Sequence, residues 1–186
     1  MARIAKTFQL ETERLILRCP TLEDIPTIFS ATRYEGFNDG MLWNPPENEA
    51  ACIEPYYNGI KAWESGKGYG FSIDDKVANI FMGRISIRKE KAVDTWSIGF
   101  WMHPKYQGKG YMSEAVKAIL AFGFTQLKAK RIEADYAIWN KASEQVLKKN
   151  GFIFQEFLEK GFQKNGEWVA ENLTHIDYSD WQKIRG

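Results

Sequence analysis

At 186 residues, with 44% hydrophobic and 26% charged residues, the chain has the size and composition of one well-cored globular domain and is short for two. Basic residues number 25 against 24 acidic ones, and a net charge of +1 provides no global field that would draw in nucleic acid or an anionic membrane. The longest apolar run, Ala118 to Phe124, is too short to span a bilayer, and Met1 to Lys6 lack a signal-type apolar core.

Cys19 and Cys52 have no CxxC or zinc-ligand spacing, so no metal is expected and a reduced cytoplasmic setting is the simplest reading. The aromatic share of 15%, with seven Trp, fits either packed core rings or the walls of a pocket.

Glu13 to Arg18 reads as a first strand, with Leu15 and Leu17 alternating against polar neighbours. Pro20 breaks it, and Thr21-Leu22-Glu23-Asp24 is a capping-box pattern that opens a helix to about Thr32. Arg33 to Pro46 has no period and carries Tyr34, Phe37 and Trp43 between glycines and prolines, so it reads as an aromatic loop, either a binding wall or lid or a surface connection with anchored rings. Glu47 to Ser65 has helical spacing, and Pro55 and Gly59 are expected to kink or split it. Strands are predicted at Tyr69–Ile73, Ile80–Arg88 and Thr95–Met102, on connections short enough for an antiparallel meander.

The period then changes. After Gly110, residues Ala115 to Leu127 give a broad apolar helix face. Arg131–Ile138 follows as a strand, with Ile132, Ala134, Tyr136 and Ile138 on one side. A short helix starts at Asn140 and stops at Asn150-Gly151. Phe152–Glu159 and Trp168–Tyr178 are the last strands, a hairpin turning at Lys164–Glu167. With no repeat or linker, residues 1–186 form one α+β domain in this reading.

The chemistry centres on His103–Glu114, where a strand passes two glycines into a helix. Such a turn presents consecutive backbone N–H groups at the positive end of a helix dipole, and glycine lets a phosphate approach closely. Two readings compete. A dinucleotide fold would use Gly108-x-Gly110-x-x-Ser113, with Glu133 and Asp135 as ribose acids. Against it, Ser113 replaces the third glycine, and a meander precedes the motif where βα units should stand.

The second reading is an acyl-CoA site. Gln107-x-x-Gly110 after a strand resembles motif A of the GNAT superfamily of acyl-CoA N-acyltransferases, with Met112 in place of a final small residue. Asn140-Lys141-Ala142-Ser143 and Lys149-Asn150-Gly151-Phe152 resemble the family's other helix and its exit. Glu13–Arg18, Thr21-x-x-Asp24, and Ile98-Gly99-Phe100-Trp101 leading to Pro104-x-Tyr106-Gln107 resemble the Rim-type branch, which acetylates ribosomal-protein N-termini.

The resemblance implies an α/β/α architecture: a mixed, mostly antiparallel sheet, helices on both faces, and parallel strands splayed at a cofactor cleft. It implies direct transfer of an acetyl group from acetyl-CoA to a primary amine, with a protein N-terminal α-amine leading. A polyamine, amino acid or aminoglycoside is the alternative, as is a non-catalytic acyl-CoA-binding module. The protein is expected as a monomer or homodimer. Backbone groups of Phe100, Trp101 and Met102 would pair with pantetheine, and Gln107, Gly108, Lys109, Gly110, Tyr111 and Met112 would hold the pyrophosphate. Asn140 and Ser143 would face the pantetheine or thiol end, with Lys149 also at the cofactor.

The tyrosine acid of many relatives corresponds to Leu147, so the resemblance passes the acid role to Ser143. The strand position where relatives often carry a glutamate base is Ser97. Glu35, Asp39, Glu64 and Asp94 lie in candidate acceptor-side segments, His103 is expected to shape the turn, His175 is expected to be structural, and no base is assigned. Lys105 and Lys109 are candidate phosphate neighbours. Trp43, Trp63, Trp96 and Trp139 are candidate pocket walls.

Overall fold

The computed structural model describes residues 3–185. Eight strands form one sheet in the order β1-β2-β3-β4-β5-β6-β8-β7. They are β1 Gln9–Glu11, β2 Leu15–Arg18, β3 Gly68–Asp75, β4 Phe81–Lys89, β5 Thr95–Met102, β6 Arg131–Ala137, β7 Ile153–Lys164 and β8 Glu167–Asp177. All neighbours pair antiparallel except β5 and β6, which are parallel. The helices are α1 Ile25–Ala31, α2 Ile53–Ser65, α3 Tyr111–Thr125, α4 Lys141–Lys149 and α5 Tyr178–Arg185.

The sheet alternates its faces, and the alternation decides what each covers. Tyr69 and Phe71 of β3, Ile85 and Ile87 of β4, Ile98 of β5 and Ile132 of β6 join the main hydrophobic core. Helix α3 packs onto this face: Gly123 rests against Ile87 and Ile132, and Phe122 meets the rings of Tyr69 and Phe71. A side chain at 123 would push the helix off the sheet.

The opposite face carries Ser72, Arg84 and Trp101, aligned by the pairing of β3 with β4 and of β4 with β5. The turn before α1 covers part of it, because Ser72 Oγ donates to Asp24 Oδ2 at 2.6 Å. Arg18 then links Asp24 and Asp74 with four hydrogen bonds. The capping-box residues do form a helix start here, where the Asp24 carboxylate accepts the Thr21 N–H at 3.0 Å.

Most predicted elements stand within a residue or two. The differences have local causes. The Glu47–Ser65 helix divides at Cys52/Ile53, where a 3-10 turn gives way to α2, and not at Pro55 or Gly59. Pro55 falls in the first turn of α2, where a missing N–H costs nothing. Strand β7 continues past Glu159 to Lys164 through register shifts that break its alternation. Ile138 is exposed and lies beyond β6. Strand β1 and helix α5 have no predicted counterpart, being short edge and terminal pieces stabilised by contact: β1 by pairing with β2, α5 by Trp181 against Phe124.

Candidate active site

The parallel pair of strands is the centre of the site. β5 and β6 are in register only at Thr95–Arg131, Trp96–Ile132 and Ser97–Glu133. Past Ser97 they part, while β5 stays paired to β4 as far as Met102 and β6 to β8 as far as Ala137. Ile98–Met102 therefore keeps one backbone edge free, which can accept an extended ligand as an added strand. A cleft of about 1160 Å³ opens there.

The turn after β5 is built to bind an anion. His103 is buried and caps a short 3-10 turn, its Nδ1 accepting the Lys105 N–H at 3.2 Å. Burial and, after it, the charge of Lys105 lower its pKa, keeping the ring neutral in this role. Gln107 Nε2 donates to Met102 O at 2.9 Å and folds the turn back on its own strand. Gly108 and Gly110 hold φ of 76° and 80°, the left-handed region that admits glycine freely. The first backbone bond of α3 is Glu114 N–H to Gly110 O, so the N–H groups of Gly108 through Ser113 have no acceptor among the described residues.

A frame holds this turn from behind. Glu114 accepts from Thr12 Oγ1, Arg14 N–H and Arg14 Nε, and Arg14 Nη1 donates to Lys109 O at 3.1 Å. Met112, the irregular residue of the motif, turns its side chain into the core, which leaves its backbone available to a ligand. Ser113 Oγ accepts from Asn150 Nδ2 at 3.0 Å, tying the start of α3 to the end of α4.

All twelve residues anticipated at the cofactor line this one cleft: Phe100, Trp101, Met102, Gln107, Gly108, Lys109, Gly110, Tyr111, Met112, Asn140, Ser143 and Lys149. Asn140 caps α4, its Oδ1 accepting the Ser143 N–H at 3.1 Å. The Ser143 side chain is half-buried and its hydroxyl has no partner among the described residues. Leu147 points into the core and takes no part in the cleft. Ser97, the last residue of β5 paired with β6, donates to Glu90 at 2.5 Å.

The rest of the cleft lies beneath the aromatic loop. Tyr34, Glu35, Phe37 and Trp43 face the cleft, and Lys164 at the tip of the β7–β8 hairpin donates to Met41 O and Trp43 O, fastening the loop across the opening. Trp43 and Trp139 line the site, whereas Trp63 and Trp96 are buried core residues, not walls. Of the carboxylates named from the sequence, Glu35 faces the cleft and Asp39 faces a smaller hollow beside the hairpin. Glu64 and Asp94 lie in surface pairs with Lys6 and Lys130.

Two other acids stand in the cleft wall. Asp135 on β6 has its pKa raised by burial. Glu171 on β8, opposite Ala137, is only 6% exposed and makes no hydrogen bond with its side chain among the described residues. Burial first, and the charge of Asp135 second, push its pKa up to about 7. Asp135 was legible only as a ribose ligand in the dinucleotide reading, and no motif marks Glu171. Across the cleft, Arg84 and Arg88 of β4 supply positive charge.

A splayed parallel pair and a run of open N–H groups at a helix start, both on one large cleft, are the arrangement of an acyl-CoA-dependent transferase. Comparison with known proteins agrees. The family model described as acetyltransferase (GNAT) domain matches residues 14–153. The chain is 37% identical over 100 residues to the uncharacterized N-acetyltransferase YnaD of Bacillus subtilis (strain 168), a match spanning 54% of this chain and 59% of that relative's length. It is 25% identical over 185 residues to the ribosomal protein uS5-alanine N-acetyltransferase of Escherichia coli (strain K12), covering 93% of this chain and 92% of that one. A solved acetyltransferase (GNAT family) from Bacillus anthracis superposes with a TM-score of 0.81 at 26% identity, covering 91% of this chain and 98% of the other.

The chain belongs to the GNAT acetyltransferase family. An antiparallel meander, not a series of βα units, surrounds the turn, and with the family match the dinucleotide reading falls.

Proposed function

We propose that this acetyltransferase modifies the α-amine at the N-terminus of a peptide or protein. The observation that carries the reading is the mixed charge of the acceptor half. Asp135 and Glu171 stand on one wall, with Arg84 and Arg88 on the other. A polyamine or aminoglycoside calls for acids on every side. An α-amine carries a carbonyl on the adjoining carbon, so it presents a cation and an acceptor together and suits both walls. The full-length similarity to an enzyme acting on a ribosomal-protein alanine supports the same class.

In this proposal the open N–H groups of Gly108–Ser113 hold the pyrophosphate and the free edge of Ile98–Met102 aligns the pantetheine arm. The acceptor amine must lose a proton before it attacks. Glu171 takes that proton, since a carboxyl titrating at about 7 is ionised often enough to accept it and basic enough to keep it. Ser143 serves the other end: its free hydroxyl, on the first turn of α4, donates to the departing thiolate. No cysteine of the chain lies in the cleft, which fits direct transfer. The buried free thiols of Cys19 and Cys52 fit a cytoplasmic setting.

The test is a panel assay with acetyl-CoA, reading CoA release and product mass. The panel holds peptides with a free N-terminus, the same peptides blocked at the N-terminus but carrying lysine, a polyamine and an aminoglycoside. Acetylation confined to free N-termini is expected. Turnover of the polyamine or aminoglycoside with the peptides untouched overturns the reading.

A further inference from the structure

Arg84 lies in the middle of β4, opposite Ser72 of β3 and Trp101 of β5. Its side chain lines the cleft, its Nε is buried without a hydrogen-bond partner, and no other atom of its guanidinium reaches an acceptor among the described residues. An arginine stays charged and brings five N–H donors in a fixed planar fork. Burial works directly against that charge. The residue as a whole is half-buried, and a cation drawn that far from water without a partner is unfavourable, so such a group normally answers an anion.

Among the described residues no carboxylate supplies one. Asp24 is the acid whose charge is felt most at Arg84, yet its oxygens are taken by Arg18, Ser72 Oγ and the Thr21 N–H. Asp74 is likewise held by Arg18. Other arginines contrast with this: Arg14, Arg18 and Arg131 all form ion pairs. Arg84 has no such partner among the described residues, and it lines the cleft.

We infer that Arg84 is the anchor for a carboxylate carried by the acceptor close to its reacting amine. This rests on the proposed acetylation of α-amines and narrows it to amines with an acidic neighbour. Such an acceptor is either a peptide with aspartate or glutamate next to its N-terminus or a free α-amino acid. The spacing suits both. Arg84 is one strand away from Trp101, about 4.8 Å, and Trp101 is on the strand edge that meets the donor. Successive peptide Cα atoms are about 3.8 Å apart, so an acidic side chain on the second residue reaches the neighbouring strand when the amine stands at β5. Asp135 and Glu171 on the facing wall repel a carboxylate and attract an ammonium. The acceptor is thereby oriented with its amine toward Glu171 and its carboxylate toward Arg84. An Arg fork meets a carboxylate with two parallel hydrogen bonds, which gives direction as well as affinity.

The test compares matched acceptors on wild type, Arg84→Met and Arg84→Lys. The peptides are Ala-Glu-Gly-Gly-amide and its neutral counterpart Ala-Gln-Gly-Gly-amide, and the small probes are alanine and alaninamide. Turnover is read as kcat/KM. Ligand-induced rise in melting temperature is read alongside with CoA present, so that the pyrophosphate turn is filled. Wild type is expected to favour the Glu peptide by about tenfold or more, a preference worth about 1.4 kcal/mol. Arg84→Met should bring the Glu peptide down to its Gln counterpart, and Arg84→Lys, which keeps the charge without the fork, should retain part of the preference. Without ligand, Arg84→Met should melt at or above the wild-type temperature, because the unpaired, half-buried charge is gone.

Equal use of the two peptides by wild type, or a preference that survives in Arg84→Met, overturns the anchor while leaving N-terminal acetylation intact. If no peptide is acetylated but alanine raises the melting temperature more than alaninamide, and only with Arg84 present, the anchor stands and the peptide reading fails. If no probe is acetylated or shifts the melting temperature, and Arg84→Met melts below wild type, Arg84 is a structural residue and the inference is wrong.

Discussion

Gly161 of β7 lies directly against the carboxyl group of Glu171 on β8, so close that a Cβ at 161 would run into it. The irregular stretch of β7 between Leu158 and Phe162 creates this approach, since its register shift there sets Gly161 beside a residue it does not formally pair with. The glycine leaves room for the acid to keep its place in the cleft wall.

That contact predicts a defect at a residue far from the acetyl donor. Gly161→Ala should displace the Glu171 carboxyl and lower kcat on the order of 10²-fold, the scale of a misplacement near 1 Å. Acetyl-CoA affinity, measured by calorimetry, should stay at the wild-type level. A variant with normal kcat would show that the position of Glu171 does not matter to turnover.

Glu171→Gln tests the proton acceptor itself. With a carboxyl titrating at about 7, wild-type kcat/KM should climb from pH 6 to pH 8 as Glu171 ionises. Glu171→Gln should lose this rise and fall on the order of 10²-fold or more at pH 8. The stability effect has the opposite sense. The native pKa is raised above the ordinary carboxylate value of about 4.3, so the native state gains from the neutral acid at low pH and loses that gain as pH rises through 7. Glu171→Gln should therefore melt above wild type at pH 8, with the gap closing by pH 5. A pH profile identical to wild type would remove Glu171 from the reaction.

Ser143→Ala separates chemistry from binding. The hydroxyl has no structural partner, and the Asn140 cap on α4 uses the backbone N–H of residue 143, which alanine keeps. Turnover should drop by about 10²-fold, the lower end for a proton donor, while the acetyl-CoA dissociation constant and melting temperature hold. Unchanged turnover would assign the thiolate's proton to another donor.

At the pyrophosphate turn, Gly110→Ala should weaken acetyl-CoA binding. Its φ of 80° costs an L-residue about 1–2 kcal/mol, which the turn can relieve only by re-aiming its N–H groups. A loss of about tenfold in affinity is expected by calorimetry.

The sequence by itself determined the turn after β5 and the cap of α4. The turn's glycines, Gln107 and the cap Asn140 act through the backbone of their own segment, and local chemistry of that kind is written in consecutive residues. The strands and helices around them were legible for the same reason, since period and capping are short-range properties. The tertiary structure decided the charged and aromatic lining of the rest of the cleft. Glu171 faces the cleft because β8 enters the sheet between β6 and β7, and its raised pKa comes from burial and from Asp135 on another strand. Arg84 is unpaired because Arg18, far away in sequence, already holds the carboxylates around it. Trp63 and Trp96 are core while Trp43 and Trp139 are walls, a division that spacing along the chain does not reveal. Burial and charge are properties of what surrounds a residue, and for these side chains the surroundings come from strands and loops distant in sequence.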